Sequence, residues 1–278
     1  MLINRQKCIL YLIKELHRCN KIQLVKLLFL LEKESKIPAL CPYYSFLPYK
    51  YGPYSFEIFH DIEMLEKEKY ISQNKDTISY ENKKIKIPYA LKNNIDEILS
   101  KYESMDYKNL IKYVYEHYPQ YTIFSEINKQ QNYIRDKTGI ITIGYQGKSI
   151  DQFLHNLINE KIHSLIDIRY NPWSMKYGFT KYSLSSLCER LNIDYYHIPK
   201  LGIPGDMRQK LNSKKDYDHL FKKYNIHLKE HQKEIEMLKK QSESKRLALM
   251  CFEEDPNYCH RHILAEHLQQ RQAQVTIT

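Results

Sequence analysis

The sequence lacks the long apolar stretch and the basic-then-apolar leader that membrane insertion or export would require. Its most apolar run near the start, Leu24 to Leu31, is interrupted by Lys26. A membrane-spanning helix needs about 18 or more consecutive apolar residues. We therefore expect a soluble, cytoplasmic protein with no membrane partner.

Paired cysteines are also missing. The six cysteines, at positions 8, 19, 41, 188, 251 and 259, form no C-x-x-C pair. Such pairs would indicate a zinc ribbon, and a regular spacing would indicate a disulfide framework. Reduced thiols are expected instead, with no metal and no cofactor.

Glycine is scarce and unevenly placed. Of seven glycines, only Gly52 precedes residue 139. The segment 119–139 combines Pro119, a polar stretch and a glycine, which is typical of a domain boundary. We predict a helical domain over 1–118, a linker over 119–139 and a second domain over 140–278.

Positive charge and tyrosine are abundant. Lysine and arginine exceed aspartate and glutamate by ten, and there are 25 tyrosines. Cations neutralise phosphates and aromatic rings stack on bases, so the expected partner is a nucleic acid, with DNA favoured over RNA. An AT-rich genome would produce the same composition without this function, and a homo-oligomer is left open.

The first half carries the pattern of a winged helix. Apolar residues within Leu24–Leu31 recur at i, i+3, i+4 and i+7, as on one face of a helix. Similar spacing predicts helices over 4–17, after Ser55 and over 92–117. The short runs TISY and KIKIPY are expected to pair as a hairpin, and helices followed by a hairpin is the order of a winged helix.

One stretch of this half resembles a known family. FLPYKYGPYSFEIFHDIEMLEKEKYI is similar to the SocA-like (Panacea) antitoxin domain, in which an aromatic residue, a Tyr-Gly-Pro turn and a following helix recur. The resemblance would cover residues 5–90 and implies a setting in phage defence. Gly52-Pro53 is also what a turn before a helix capped by Ser55 requires, whatever the function.

The second half alternates strands and helices. Apolar strands are predicted at GIITIGY, SLIDIRY, IDYYHIP and RLALMCF, with helices near 150–160, 183–191, 216–242 and 257–270. Strands that are continuously apolar belong to sheets covered on both faces. The prediction is an α/β domain with a mostly parallel sheet flanked by helices.

Polar side chains follow every one of these strands. Ligands of open parallel sheets bind outside the carboxyl ends of the strands. The candidate catalytic residues are Asp167, Arg169, Glu253, Glu254 and Cys259, and the candidate substrate-binding residues are Tyr145, Gln146, Asn171, Trp173, Ser174, Lys181, His260 and Arg261.

Each of these clusters also has a purely structural interpretation. Asp167 and Arg169, two residues apart, are as typical of a buried ion pair as of a catalytic pair. Trp173, the only tryptophan, either stacks on a base or covers the edge of the sheet. The Gly-Tyr-Gln-Gly turn before Ser149 and Gln152 fits a capping box that opens a helix.

The triplet Cys259-His260-Arg261 lies near a predicted helix start. Backbone N–H groups there favour anions and lower the pKa of a nearby thiol, which allows either a phosphate site or a thiolate nucleophile. Zinc is disfavoured, because Cys-His-x-His is not a finger spacing and adjacent helical positions diverge. Beside Asp167 and Arg169, binding of an anionic substrate is the favoured interpretation.

Together, TIGYQGKSIDQFLHNL, LIDIRYNPWSMKYGFTKYSL, YYHIPKLGIPG and LMCFEEDPNYCHRHILAEHL resemble, in order, the signature segments of the DUF488 family, from about residue 140 onward. The resemblance implies an α/β domain whose pocket is lined by the Asp-x-Arg turn, the aromatic residue and serine after it, and the Cys-His-Arg helix start. The family name records an unknown function, so no reaction is implied.

Three functions follow as hypotheses. The first is a hydrolase of the DNA glycosylase type that removes a modified base, with Asp167, Glu253 or Glu254 activating water. The second is a DNA-binding regulator without enzymatic activity, whose pocket senses a nucleotide or another anion. The third is a thiol-dependent enzyme that uses Cys259. The gathering of unlike polar groups at four strand ends favours an enzyme.

Overall fold

The computed structural model describes residues 2–127, 133–208, 211 and 213–277, and divides the chain into two compact units, Met1–Tyr133 and Ile134–Thr278. The boundary falls inside the predicted linker 119–139, of which 128–132 lie outside the described residues. The start of that segment belongs to the first unit, because Tyr121 is buried in its core. The last residue, Gly139, opens a strand of the second unit.

The first unit contains six helices and five strands among the described residues. The helices are α1 Asn4–Glu15, α2 Lys21–Glu34, α3 Ile37–Leu40, α4 Phe56–Lys67, α5 Tyr89–Tyr102 and α6 Tyr107–His117. The strands are β1 Arg18–Asn20, β2 Leu47–Tyr49, β3 Gly52–Tyr54, β4 Ile71–Gln73 and β5 Thr77–Tyr80.

These elements form a winged helix. The antiparallel sheet has the order β1-β5-β4, and α1, α2 and α4 stand where the three helices of that fold stand in the chain. The Asn20 side chain caps α2, and Ser55 caps α4 as its sequence position predicts. The additional α3 and the β2–β3 hairpin lie between α2 and α4.

Two expectations for this unit are wrong. TISY pairs with β4 and β1, not with KIKIPY, because Ile71 and Ile78 are the residues buried in the core, while residues 81–88 are described and form no strand. The helix expected over 92–117 is two helices. It breaks before Asp106, whose carboxylate accepts the backbone N–H of Asn109 and starts α6.

The second unit has five parallel strands and five helices among its described residues. The strands are β6 Gly139–Gly144, β7 Ser164–Asp167, β8 Asp194–His197, β9 Arg246–Cys251 and β10 Val275–Thr276. The helices are α7 Ile150–Asn159, α8 Lys181–Arg190, α9 Lys214–Glu230, α10 Gln232–Ser242 and α11 Arg261–Gln269. The predicted parallel α/β domain is confirmed. The helix expected over 216–242 is two helices that meet at His231.

The order of the strands determines where a ligand can bind. The strand order of the sheet is β10-β6-β9-β7-β8. After β6 the chain crosses the sheet in one direction, toward β7, and after the adjacent β9 it crosses in the opposite direction, toward β10. Right-handed crossovers place helices that travel in opposite directions on opposite faces. In agreement, α9, α10 and α11 pack together against one face of the sheet. The crevice between the carboxyl ends of β6 and β9, where Gly144 pairs with Cys251, is the expected ligand site.

Among the helices that the structure describes, none has the length and apolar character needed to cross a bilayer.

Candidate active site

A cavity of about 370 Å³ opens at the carboxyl ends of the strands in the second unit. Cys251, the last residue of β9, lies in its wall. Five of the residues that the sequence nominates also line it: Tyr145, Arg169, Asn171, Trp173 and Ser174. Three predicted clusters therefore meet at this cavity.

Asp167 and Arg169 form a buried ion pair. The Arg169 Nε atom lies 2.8 Å from Oδ1 of Asp167, and Nη2 lies 2.6 Å from Oδ2. The Tyr195 hydroxyl donates to the same Oδ2 at 2.6 Å, while Nη1 of Arg169 donates to the Tyr145 hydroxyl and to the carbonyl of Phe179. These contacts use both carboxylate oxygens and three guanidinium nitrogens. The pair therefore holds the loop after β7, and a catalytic role for it stays a prediction.

Tyr145 and Gln146 hold the turn after β6 against the turn after β9. The backbone N–H groups of both residues donate to the carbonyl of Phe252, at 3.1 and 2.8 Å. Only glycine fits just before them, because a Cβ on Gly144 would lie 1.9 Å from the carbonyl oxygen of Glu253. The Tyr145 ring itself is buried and stacked on Phe179. It borders the cavity without offering an exposed stacking face.

Two cysteines and one histidine meet beside the cavity. The Nδ1 atom of His260 lies 3.7 Å from Sγ of Cys251 and 4.0 Å from Sγ of Cys259. All three residues are 1% exposed. The helix α11 begins only at Arg261; Cys259 lies between a single 3-10 turn, Pro256–Tyr258, and that helix. This turn returns the chain to the end of β9, where Cys251 is fixed.

The pKa values of the two thiols are shifted in opposite directions. Burial alone would raise the pKa of Cys259, but hydrogen bonds from Cys251 and His260, with nearby Arg261, hold it well below its ordinary value. The hydrogen bond to Cys259, followed by burial, raises the pKa of Cys251 well above its ordinary value. Of the two thiols, Cys259 is the one whose surroundings favour the thiolate.

The two acids after β9 have different environments. Oε2 of Glu253 lies 3.2 Å from Sγ of Cys251, and burial, together with Cys259, raises the pKa of this carboxyl. Glu254 is at the surface, where Lys148 contacts it at 2.9 Å and lowers its pKa. Of these two acids, only Glu253 is held against the buried cluster.

Arg261 holds the turn that carries Glu253 and Glu254. Its side chain is fully buried, and its terminal nitrogens donate to the backbone carbonyls of Glu253 and Glu254. Gln146 contacts the same turn through another hydrogen bond, since its Oε1 accepts the N–H of Glu254 at 3.2 Å. Both residues shape the site in this structure, and the substrate contacts predicted for them stay predictions.

Comparison with known proteins agrees with this architecture. Residues 149–268 match the family described as "Domain of unknown function DUF488". The matched segment lies within the second unit. No curated protein and no solved structure gives a match to the chain. The predicted resemblance to DUF488 is confirmed, and the SocA-like resemblance of the first unit stays a prediction.

One nominated residue of the second unit lies elsewhere. Lys181, at the start of α8, lines a different cavity of about 480 Å³ together with Tyr195 and His197. It does not line the cavity that contains Cys251. The structure therefore places Lys181 in the wall of a different cavity, although its backbone N–H donates to the carbonyl of Pro172 at 3.2 Å.

Six residues that line the Cys251 cavity were not nominated from the sequence: Tyr170, Ile203, Gly205, Arg208, Cys251 and Phe252. Phe252 is 45% exposed, and Arg208 is exposed in the loop that follows β8. Phe252 is the last residue of the predicted strand RLALMCF, so its position at the carboxyl end of a strand could have marked it as a candidate. Arg208 lies far along a loop between β8 and α9, and no local motif marks it.

Proposed function

We propose that the second unit, which contains the DUF488 match, is a hydrolase that acts on a base of a nucleic acid, with Glu253 activating water for N-glycosidic cleavage. The observation that supports this most directly is the position of Glu253, whose carboxyl has a raised pKa and lies against the cysteine that lines the cavity. A carboxylate with a raised pKa is a stronger base toward water at neutral pH. Asp167 and Glu254 are already engaged by Arg169 and Lys148.

The rim of the cavity suits a planar ring. The side chains of Tyr170, Trp173 and Phe252 are 51%, 67% and 45% exposed. Exposed aromatic faces stack on bases without requiring a particular sequence. A base extruded from the strand would lie on this rim, and Arg208 offers a cation for a flanking phosphate.

The reaction has a simple proton balance. Glu253 accepts a proton as the water oxygen bonds to the anomeric carbon of the sugar, and the C–N bond breaks with its electron pair leaving on the base. The departing base then takes up that proton from Glu253, directly or through solvent, which restores the carboxylate. A base whose modification stabilises that negative charge leaves more easily, which favours modified bases as substrates and a setting in phage defence.

The first unit would contact the strand through its wing. Helix α4 occupies the recognition-helix position of a winged helix. Of its four acids, Glu57 and Asp61 are buried and paired with Arg5, so Glu63 and Glu66 are the acids it presents, against one lysine. Phosphates repel such a helix. The exposed lysines 75, 83, 84 and 86 lie in and after the β4–β5 hairpin, so this segment is the favoured contact.

The test is incubation of the purified chain with normal and modified DNA, followed by detection of released bases and abasic sites. Glu253→Gln should abolish release, because the amide cannot accept the proton. Glu254→Gln is the matched control and should retain activity. If no DNA yields a product while binding is tight and weakens with salt, the protein is a regulator whose pocket senses a nucleotide or anion.

A second candidate is thiol-dependent catalysis. The lowered pKa of Cys259 beside His260 favours it, because the thiolate is the reactive form. Cys259→Ser would then remove all activity, while Glu253→Gln would retain part of it.

A further inference from the structure

The cluster of Cys251, Cys259 and His260 has the donors of a metal site. Two sulfur atoms and one imidazole nitrogen lie within 4.8 Å of one another, and all three residues are buried. Spacing along the chain argues against such a site, because Cys251 lies at the end of β9 and the other two residues follow a separate turn. Only the fold brings them together.

The distances suit a zinc ion. With Zn–S of about 2.3 Å and Zn–N of about 2.0 Å at tetrahedral angles, sulfur and nitrogen ligands lie about 3.5 Å apart. The sulfur–nitrogen distances here are 3.7 and 4.0 Å. The sulfur–nitrogen pairs would close by a few tenths of an ångström around the ion, and the two sulfurs, which lie within 4.8 Å of each other, would close toward about 3.8 Å.

The orientation of His260 supports the same assignment. Its Nδ1 atom faces the two sulfurs, while Nε2 lies 3.4 Å from the backbone carbonyl oxygen of Ile168. Metal-binding histidines donate their other ring N–H to such an acceptor, which fixes the tautomer and leaves the first nitrogen free for the metal. The carbonyl of Ile168 is therefore positioned to accept the Nε2–H of His260 while Nδ1 binds the metal.

The donor set selects the metal and leaves one position open. Sulfur and imidazole donors suit zinc, whereas magnesium and calcium take oxygen ligands. Three protein ligands are typical of catalytic zinc sites, in which water or substrate occupies the fourth position. Cys251 lines the cavity and Glu253 lies 3.2 Å from its sulfur, so the open position would be next to a base and a substrate pocket.

The geometry points to a zinc ion bound by Cys251, Cys259 and His260, with its fourth position directed to the cavity. This inference goes beyond the proposed function and does not require it, because binding of the metal is measured without a substrate. Both sulfurs serve as ligands in this site, so it excludes the use of Cys259 as a free nucleophile.

The test is metal binding by the full-length chain after mild chelation. We expect uptake of one Zn²⁺ per chain and, with Co²⁺ instead, a thiolate-to-cobalt charge-transfer band with intense visible bands of tetrahedral cobalt. Cys259→Ser and His260→Asn should weaken zinc binding by at least about 100-fold, more than the loss of an outer hydrogen-bond partner. Cys188→Ser, which changes another buried cysteine of the same unit, should bind as the wild type does.

The outcomes separate the two proposals. A folded wild-type chain that takes up neither metal, or equal losses in Cys188→Ser and Cys259→Ser, overturns the zinc site. If the variants fail to fold by circular dichroism, the cobalt spectrum of the wild type decides alone. Zinc bound without release of any base retains the site and rejects the glycosylase, whereas base release by a chain that binds no zinc does the reverse.

Discussion

Arg169 donates to both carboxylate oxygens of Asp167, at 2.8 and 2.6 Å, in a pair that is almost wholly buried. Breaking a buried pair by removing one charge leaves the other uncompensated. We expect Asp167→Asn to lower the free energy of unfolding by about 3 kcal/mol, measured by urea denaturation. Glu254→Gln breaks the exposed pair with Lys148 and should change it by less than about 1 kcal/mol. Equal effects would contradict the structural role of Asp167.

The close approach of Gly144 to the Glu253 carbonyl predicts a second stability effect. Gly144→Ala places a methyl group where the backbone of the neighbouring turn already lies, at 1.9 Å. Because backbone atoms cannot move aside as a flexible side chain can, we expect a loss of more than about 2 kcal/mol in thermal or urea unfolding. Gly205→Ala is the control, since nothing lies within 4 Å of its added Cβ. A Gly144 variant as stable as the Gly205 variant would show that the two turns are not held together.

Lys26 predicts a dependence on pH. Burial lowers the pKa of its ammonium from 10.5 to about 7, although the carbonyls of Tyr51 and Pro53 accept from it. Between these values the unfolded chain binds a proton that the folded chain has released, so stability rises with pH across this window. The stability gained at high pH is lost again as the pH falls toward 7.

The comparison that isolates this effect is wild type against Lys26→Met, with urea unfolding followed from about pH 7 to pH 10. The wild type should gain about 2 to 4 kcal/mol over the variant across that range, since the carbonyl contacts offset part of the burial penalty. Titrations of other groups cancel in the difference. Parallel profiles would show that Lys26 keeps its proton in the folded protein.

The exposed rim predicts a change in binding without a change in folding. Trp173→Ala should weaken binding of single-stranded DNA by about 1 to 3 kcal/mol, the usual value of one stacked base. Its effect on unfolding should be small, because the ring is 67% exposed. Tyr182→Ala, 87% exposed beside the other cavity, is the control for loss of an aromatic ring. Equal weakening in both variants would argue against stacking at the rim.

The sequence predicted the architecture well where a pattern was long or repeated. Four strands of the parallel sheet and the winged-helix order were readable from apolar runs and spacing. The sequence did not reveal the two-residue strand β10 or the three-residue strand β1, because so few residues carry no period. The predicted pairing of TISY with KIKIPY was wrong. KIKIPY alternates as a strand would, but the segment that pairs with TISY is β4, whose Ile71 is buried in the core.

The candidate site was predictable only in part. Parallel strands place their carboxyl ends at one edge, so the meeting of Arg169, Trp173 and Cys251 at one cavity followed from the order of elements. The contact of His260 with two sulfurs did not, because it depends on the single 3-10 turn that follows Asp255. Spacing along the sequence therefore argued against a metal that the folded geometry supports.

The single tryptophan of the chain stands exposed on the rim of the Cys251 cavity. Its indole emission consequently comes from one known place, with no second tryptophan to dilute it. Quenching or a spectral shift on addition of a compound would report occupancy of this cavity directly, without a label and without turnover. The protein thus carries its own optical probe with which unknown ligands can be screened.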